Sequence, residues 1–194
     1  MILEGLVTTL SADGTANISP MGPRVDVPLT RFVLRPYQTS TTYRNLKRTG
    51  QGVLHVTDDV ELLARAAVGT PKPLPPMEPA KAVEGRILTG ACRWYAFRVE
   101  SVDDSQDRSE IVCRVVDTGV LREFFGLNRA KHAVVEAAIL ATRTDFLPGD
   151  EILADFARLE VLVEKTGGAA ERRAFDLLAE TVRTRLAAKA ARGQ

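Results

Sequence analysis

The fold is decided by the stretch Arg35-Pro36-Tyr37-Gln38-Thr39-Ser40-Thr41-Thr42-Tyr43-Arg44-Asn45-Leu46. Polar and apolar residues alternate over 30–34, just before it, and this alternation predicts a β-strand. Pro36 ends the strand, because proline has no amide hydrogen to give to a sheet. Behind it, helical spacing over 43–47 predicts a helix that ends at Gly50. The stretch therefore predicts a junction at which a strand passes into a helix.

Hydroxyl side chains fill the start of this predicted helix, since residues 39–42 read Thr-Ser-Thr-Thr. The free backbone N–H groups and the positive end of a helix dipole favour an anion at such a position. With Arg35 leaving the strand beside them, these hydroxyls could bind a phosphate. The alternative is that Thr39 or Ser40 only caps the helix. The local residues leave both interpretations open.

Composition bounds the classes of protein to which the chain can belong. Its 194 residues are 45% hydrophobic and carry a net charge of +1, so no global field attracts nucleic acid or an acidic membrane. Cys92 and Cys113 are widely separated, which indicates a reducing compartment and no disulfide framework or metal-binding Cys pair. No apolar run approaches the roughly 18 residues of a membrane helix, and no basic leader precedes an apolar segment. We expect a soluble cytoplasmic protein without a nucleic-acid or membrane partner.

The first two thirds of the chain indicate β-structure. Asp13-Gly14 predicts a hairpin turn between a strand over 1–10 and a second strand over 16–19. The cluster Pro20-Met21-Gly22-Pro23 should end that second strand and expose its N–H groups. Further segments follow: a strand over 52–57, a helix after Asp58 or Asp59, a long proline-rich loop over 68–83, and a hairpin of strands over 91–102 and 111–121.

The last third indicates helices. Apolar residues recur at helical spacing in 130–142, in 148–164 and in 169–191, and Gly167-Gly168 separates the last two segments. The whole pattern predicts an α+β protein. We expect a β-rich domain over 1–128 and a helical domain over 129–194.

Several motifs together resemble one known family, DUF447, within the FMN-binding split-barrel superfamily of flavin reductase-like and pyridoxamine-phosphate-oxidase-like proteins. They are Glu4, Val7-Thr8-Thr9, Asp13-Gly14, Asn17-Ile18-Ser19-Pro20-Met21-Gly22, Arg35-Pro36-Tyr37 and Ser40-Thr41-Thr42-Tyr43-Arg44-Asn45-Leu46. The resemblance implies a six-stranded Greek-key split barrel with a C-terminal three-helix extension. It also implies a homodimer with FMN near the subunit interface, and NAD(P)H or another small molecule as electron donor.

The resemblance also implies which residues bind the cofactor. One group would approach the isoalloxazine ring or the ribityl chain: Asn17, Ser19, Pro20, Met21 and Gly22. A second group would bind the phosphate: Arg35, Thr39, Ser40, Thr41 and Thr42, with Asn45 near them. Arginine offers a charge-assisted fork to a phosphate, and hydroxyls complete the shell of donors.

These motifs make an FMN-dependent oxidoreductase of unknown substrate our first hypothesis. No carboxylate pair or nucleophile elbow is visible, so catalytic residues stay unknown. The alternative is a non-catalytic flavin-binding or scaffold protein. The family's occurrence in methanopterin-using organisms would link such a protein to pterin or one-carbon metabolism. We interpret His55 as a residue of the barrel wall and expect no metal site. The proline-rich segment 71–79 is our candidate for a loop that covers the flavin.

Overall fold

A computed structural model describes residues 1–192 of the chain. Its strands are β1 Gly5–Leu10, β2 Ala16–Met21, β3 Arg24–Val25, β4 Arg31–Leu34, β5 Gln51–Val56, β6 Met77–Pro79, β7 Arg86–Leu88, β8 Arg93–Asp103 and β9 Glu110–Val120. Its helices are α1 Thr41–Thr49, α2 Val60–Val68, α3 Arg129–Ala141, α4 Gly149–Thr166 and α5 Ala169–Arg192. Two compact units emerge, one formed by 1–58 with 72–124, and one by 59–71 with the chain from Phe125 onward.

The first unit is built on a curled antiparallel sheet of seven strands in the order β2-β1-β5-β8-β9-β4-β3. The residues just before β1 also pair with β3, since Leu3 N donates to Pro23 O at 3.1 Å and Val25 N to Met1 O at 2.9 Å. These bonds connect the chain just before β1, which is next to one end of the strand order, to the region of β3 at the other end. The α+β class is confirmed. The predicted count of six strands is wrong, because the sheet has seven: Gly22-Pro23 separates β2 from β3 within residues 16–25.

The second strand is longer than the sequence predicted. It continues through Pro20 to Met21, where Leu6 pairs with Pro20 and Gly5 with Met21. Because β2 lies at the edge of the sheet, the missing N–H of Pro20 costs no hydrogen bond to a further strand. The prediction that proline would break the ladder here is therefore wrong.

The interior of this unit is an apolar cluster that includes residues from the sheet and from α1. Phe32 and Phe97 meet edge to face, with ring centroids 5.1 Å apart. Tyr43 and Leu46 of α1 are buried in the same cluster, as their helical spacing predicted. Burial of these two side chains orients α1 and therefore fixes which of its faces stays polar.

The proline-rich region contains more regular structure than a loop. Its β6 pairs with β7 in a two-stranded sheet, and Val83 and Ile87 pack against Val53 and Ala96. The helix α2 also extends to Val68. Predicting a loop over the whole of 68–83 was therefore wrong, because Pro79 lies at the end of a short edge strand, where proline is tolerated.

The second unit contains α2 together with α3, α4 and α5. Phe156 and Phe175 pack with ring centroids 5.4 Å apart, and Glu61 of α2 pairs with Arg173 of α5 at 2.8 Å. The predicted three-helix extension thus has a fourth member, because α2 joins it. Two domains over 1–128 and 129–194 stay a prediction, and the compact units differ from that division by the segments 59–71 and 125–128. Each helix within residues 1–192 is too short or too polar to span a bilayer.

His55 is a fully buried residue of the sheet wall, as the sequence predicted. Its Nε2 accepts the amide of Leu88 at 3.0 Å, so its proton lies on Nδ1, which is 3.2 Å from the Leu6 carbonyl oxygen. Burial lowers the pKa of His55 to about 4, although the hydrogen bond to Leu6 opposes the shift. The ring therefore joins three strands as a neutral group.

We predict that His55 makes the stability of the fold depend on pH. In the unfolded chain His55 becomes protonated below its ordinary pKa of about 6.5. In the folded chain the same imidazole stays neutral until the pH falls to about 4. Acidification across this window should remove up to about 3 kcal/mol of unfolding free energy. Urea denaturation at a series of pH values measures the loss. This loss of unfolding free energy should disappear in His55→Gln. It should persist in the control His132→Gln, which alters an exposed histidine. Equal pH dependence of stability in the two variants would contradict the prediction.

Candidate cofactor site at the start of the first helix

The start of α1 is capped as one of the two interpretations requires. Ser40 is the N-cap, and its Oγ accepts the amide of Tyr43 at 3.1 Å. The amides of the first helical residues, Thr41 and Thr42, have no acceptor within a helix. Capping therefore uses one of the four hydroxyls, and the other three need another explanation.

Thr42 belongs to a buried network of hydroxyls and side-chain amides. Asn17 of β2 donates through Nδ2 to Thr42 Oγ1 at 3.1 Å and to Thr9 Oγ1 at 3.3 Å. Asn45 of α1 donates to the same Thr9 oxygen at 3.0 Å. Thr9 is 0%, Thr42 1% and Asn45 5% exposed, so the network is closed to solvent on the side of β1. The structure thus joins Asn17, predicted near the flavin ring, to two residues predicted near the phosphate.

The residues predicted to contact the flavin ring divide between the two faces of β2. Successive side chains of a strand point to opposite faces of the sheet. Asn17, Ser19 and Met21 therefore share one face of β2, and Pro20 lies on the other face. Met21 packs against the apolar cluster of the sheet. Asn17 and Ser19 therefore share a face with the network at α1, whereas Pro20 does not.

Gly22 stands where the arm of β2 bends toward β3. A Cβ atom at this position would lie 2.9 Å from Oε1 of Glu4 and 3.0 Å from Cγ2 of Ile2. A Cβ atom here would therefore displace the flexible carboxylate of Glu4 and press on Ile2, so glycine gives the closest packing at this bend.

Arg35 lies among charged neighbours on the outer side of β4 and β9. Its Nε is 3.4 Å from Oε1 of Glu110, and the same oxygen is 3.3 Å from Nη1 of Arg24. The Nε atom is buried, yet it has no acceptor in hydrogen-bonding geometry. Arg35 therefore keeps one unsatisfied donor, while the carboxylate of Glu110 balances part of its charge.

Arg44 contacts the predicted phosphate residues, although the sequence analysis gave it no role. Its Nη1 donates to the carbonyl oxygen of Thr39 at 2.6 Å and its Nη2 to Thr41 Oγ1 at 3.0 Å. The available signal was the three-residue spacing from Thr41, which places both side chains on one side of a helix. A guanidinium group thus lies at the helix start.

A second polar cluster fixes α1 to the turn between β8 and β9. Tyr43 donates its hydroxyl to Oδ2 of Asp104 at 2.5 Å, and Lys47 Nζ lies 2.6 Å from the same oxygen. The hydrogen bond from Lys47 lowers the pKa of Asp104, and the same bond raises the pKa of Lys47. Gln38 adds bonds to the carbonyl oxygens of Asp104 and Gln106, both at 2.8 Å. The start of the helix is therefore held from both sides.

The chemistry of this donor set fits a phosphate group. The helix start offers backbone amides, the hydroxyls of Thr41 and Thr42 and the guanidinium of Arg44, all of which are groups that bind phosphate oxygens. The buried, unsatisfied Nε of Arg35 is one more donor on the same unit. The site also lacks an acidic residue in the first turn of α1, so no carboxylate there opposes an anion.

The fold is that of flavin reductase-like proteins. The styrene monooxygenase flavin reductase from Pseudomonas putida S12 is similar with a TM-score of 0.52 and 14% identity, over 61% of this chain and 79% of that one. An FMN-binding protein from Thermus thermophilus is similar with a TM-score of 0.52 and 16% identity, over 61% and 70% of the two chains. Both likenesses concern the fold.

The similarity to one solved structure extends over nearly the whole chain. It is an FMN-bound protein of the DUF447 family from Methanosarcina mazei, with a TM-score of 0.82 and 23% identity over 93% of this chain and 94% of that one. The chain itself belongs to the DUF447 family. The family's N-terminal domain of unknown function matches residues 3–122, and its second model, also of unknown function, matches 128–180. A comparison with curated protein sequences gives no match.

We predict that Thr42→Val weakens the fold, because it removes an acceptor from the amide of Asn17 and keeps the shape of the side chain. The unfolding free energy should fall by about 1 kcal/mol, the usual net value of one such hydrogen bond. Urea denaturation measures the change. Thr39→Val alters an exposed residue and serves as the control, with an expected change within about 0.5 kcal/mol. Equal stability of Thr42→Val and the parent chain would contradict the role of the network.

Proposed function

We propose that this protein binds FMN and acts as a flavin-dependent oxidoreductase on a small molecule. The observation that carries the proposal is the donor cluster at the start of α1, where Arg44 contacts Thr41 and the amide of Asn17 contacts Thr42. A phosphate is the anion that such a cluster of hydroxyls, amides and a guanidinium suits. The FMN-bound member of the same family supports FMN as the source of that phosphate.

The roles that we propose for the residues follow from their places in the fold. Thr39, Thr41 and Thr42 line the helix start, with Ser40 as its cap, and would bind the phosphate together with Arg35. Asn45 acts through Thr9, because its amide donates to that hydroxyl and keeps it in place. Asn17 and Ser19 would face the ribityl chain from β2, and Pro20, Met21 and Gly22 would shape the arm next to the ring. A bound flavin supplies electron transfer at its ring, and the chain supplies binding and orientation.

The proposed oxidation–reduction reaction rests on proteins that have a similar fold. One similar structure is a flavin reductase, and another is an FMN-binding protein with a bound cyclohexenone. NADH or NADPH is therefore the electron donor that we propose. Cys92 and Cys113 are both unpaired and buried, which suits a reducing compartment such as the cytoplasm.

A homodimer is part of the proposal. Val120, Leu121 and Phe124, at the end of β9 and just beyond it, are 64%, 41% and 49% exposed. These three exposed apolar residues lie within five positions of the chain, and exposed apolar patches favour association with a partner. A second copy of the chain is the partner that we propose, with the cofactor near the contact.

We predict that the purified protein binds FMN more tightly than riboflavin. The two ligands share the ring and the ribityl chain and differ only in the phosphate. A charge-assisted hydrogen bond contributes about 1.5–3 kcal/mol, so the dissociation constant should differ at least about tenfold. Quenching of flavin fluorescence measures both constants, and heating should release FMN from the coloured protein. Absence of quenching by either flavin would remove the proposed function.

We also predict that the FMN-loaded protein oxidises NADH or NADPH, because hydride transfer to the flavin needs only a donor that stacks on the ring. Loss of absorbance at the nicotinamide band should continue over many turnovers when an electron acceptor is present. Protein stripped of flavin is the matched control. Binding of FMN without turnover by either donor would contradict the reductase step and leave flavin binding intact.

A further inference from the structure

The helix α1 carries an unusual set of charges. Its nine residues include Arg44, Lys47 and Arg48 and no carboxylate. Two of these cations have partners elsewhere in the fold, because Lys47 pairs with Asp104 and Arg48 Nη2 donates to the carbonyl oxygen of Leu10. Arg44 instead folds back on the start of its own helix.

A cation at this position is electrostatically unfavourable without an anion. The start of a helix is the positive end of its dipole, where a negative group is stabilised and a positive group is destabilised. Arg44 reaches only neutral acceptors there, the carbonyl oxygen of Thr39 and the hydroxyl of Thr41. These two bonds use two of the five N–H donors of a guanidinium. An anion in front of the helix would therefore be attracted by the dipole and by Arg44 together.

Arg35 is placed less favourably for the same ligand. The carboxylate of Glu110 is 3.4 Å from its Nε and also 3.3 Å from Arg24. Glu110 offsets the charge of Arg35 and would repel a phosphate that approached it. Arg44 has no comparable carboxylate in the first turn of its helix.

The geometry of the helix places Arg44 beside the buried network. At about 100° per residue, Arg44 and Thr41 lie about 60° apart around the helix, and Asn45 lies between Thr41 and Thr42. The side of α1 that faces away from the apolar cluster thus carries Arg44, Thr41, Asn45 and Thr42 in sequence around the axis. A phosphate at the helix start would meet the guanidinium on one flank and the hydroxyl of Thr42 on the other.

We propose that Arg44 is the cation that binds the cofactor's phosphate and that it sets the preference of this protein for FMN over riboflavin. The inference rests on the proposed flavin binding and adds a residue to that site. Arg44 acts on the phosphate alone, so its effect is confined to ligands that carry one.

The test measures FMN and riboflavin affinity for the parent chain and for three variants, Arg44→Gln, Arg35→Gln and Arg48→Gln. Fluorescence quenching gives the dissociation constants, and a thermal unfolding scan shows that each variant is folded. Arg44→Gln should raise the constant for FMN at least about tenfold, equivalent to about 1.4 kcal/mol, and leave the constant for riboflavin unchanged. Arg48→Gln is the matched control and should raise the FMN constant less than about threefold, whereas Arg35→Gln should raise it less than Arg44→Gln does.

A conservative variant keeps the test decisive if glutamine disturbs the helix start. Arg44→Lys keeps the charge and loses the fork, so its FMN affinity should lie between those of the parent and of Arg44→Gln. The inference is overturned if Arg44→Gln leaves the ratio of the two affinities unchanged, or if both affinities fall together, which a structural role alone would produce. It is also overturned if Arg35→Gln removes the preference for FMN and Arg44→Gln does not. A parent chain that binds neither flavin would overturn the proposed function itself.

Discussion

The hydroxyl of Thr9 is the point on which the arrangement of the site depends. Its oxygen accepts the side-chain amide of Asn17 from β2 and that of Asn45 from α1, and the residue is fully buried in β1. A buried amide without an acceptor destabilises a fold by about 1–3 kcal/mol, so these three elements hold one another in a single position. Two strands and a helix thus share one oxygen, and the start of the helix cannot shift without breaking its bonds.

The opposite side of α1 is held by different forces. Tyr43 and Leu46 are buried among the apolar residues of the sheet, and the Tyr43 hydroxyl leaves that cluster to reach Asp104. Packing orients the helix about its axis, whereas the bonds to Asp104 fix it along its length. A binding group on a helix that is restrained in both ways loses little freedom when a ligand arrives, and this favours affinity. The stability of the sheet and the geometry of the site therefore have a common origin.

Local patterns predicted the elements better than they predicted the contacts. Ser40 and Gly50 bound α1 because capping depends on a few neighbouring residues. The strand through Pro20 was missed because tolerance of proline depends on a place at the sheet edge, which neighbours in sequence do not reveal. The bond between Asn17 and Thr42 spans 25 residues, and the pairing of Arg35 with Glu110 spans 75. Such contacts are set by the register of distant strands, so the residue types indicated a donor-rich stretch but not that Arg44 folds back on the helix start.

The strand β2 lies at the edge of the sheet, beside the start of α1. An edge strand has backbone groups that no neighbour uses, which usually invites pairing with another chain. Pro20 removes one N–H from this strand, and the strand ends after Met21, just before Gly22. Both features shorten the edge that another strand could pair with. The face with Asn17 and Ser19 thus lies next to the start of α1, on an edge that is poorly suited to a further strand.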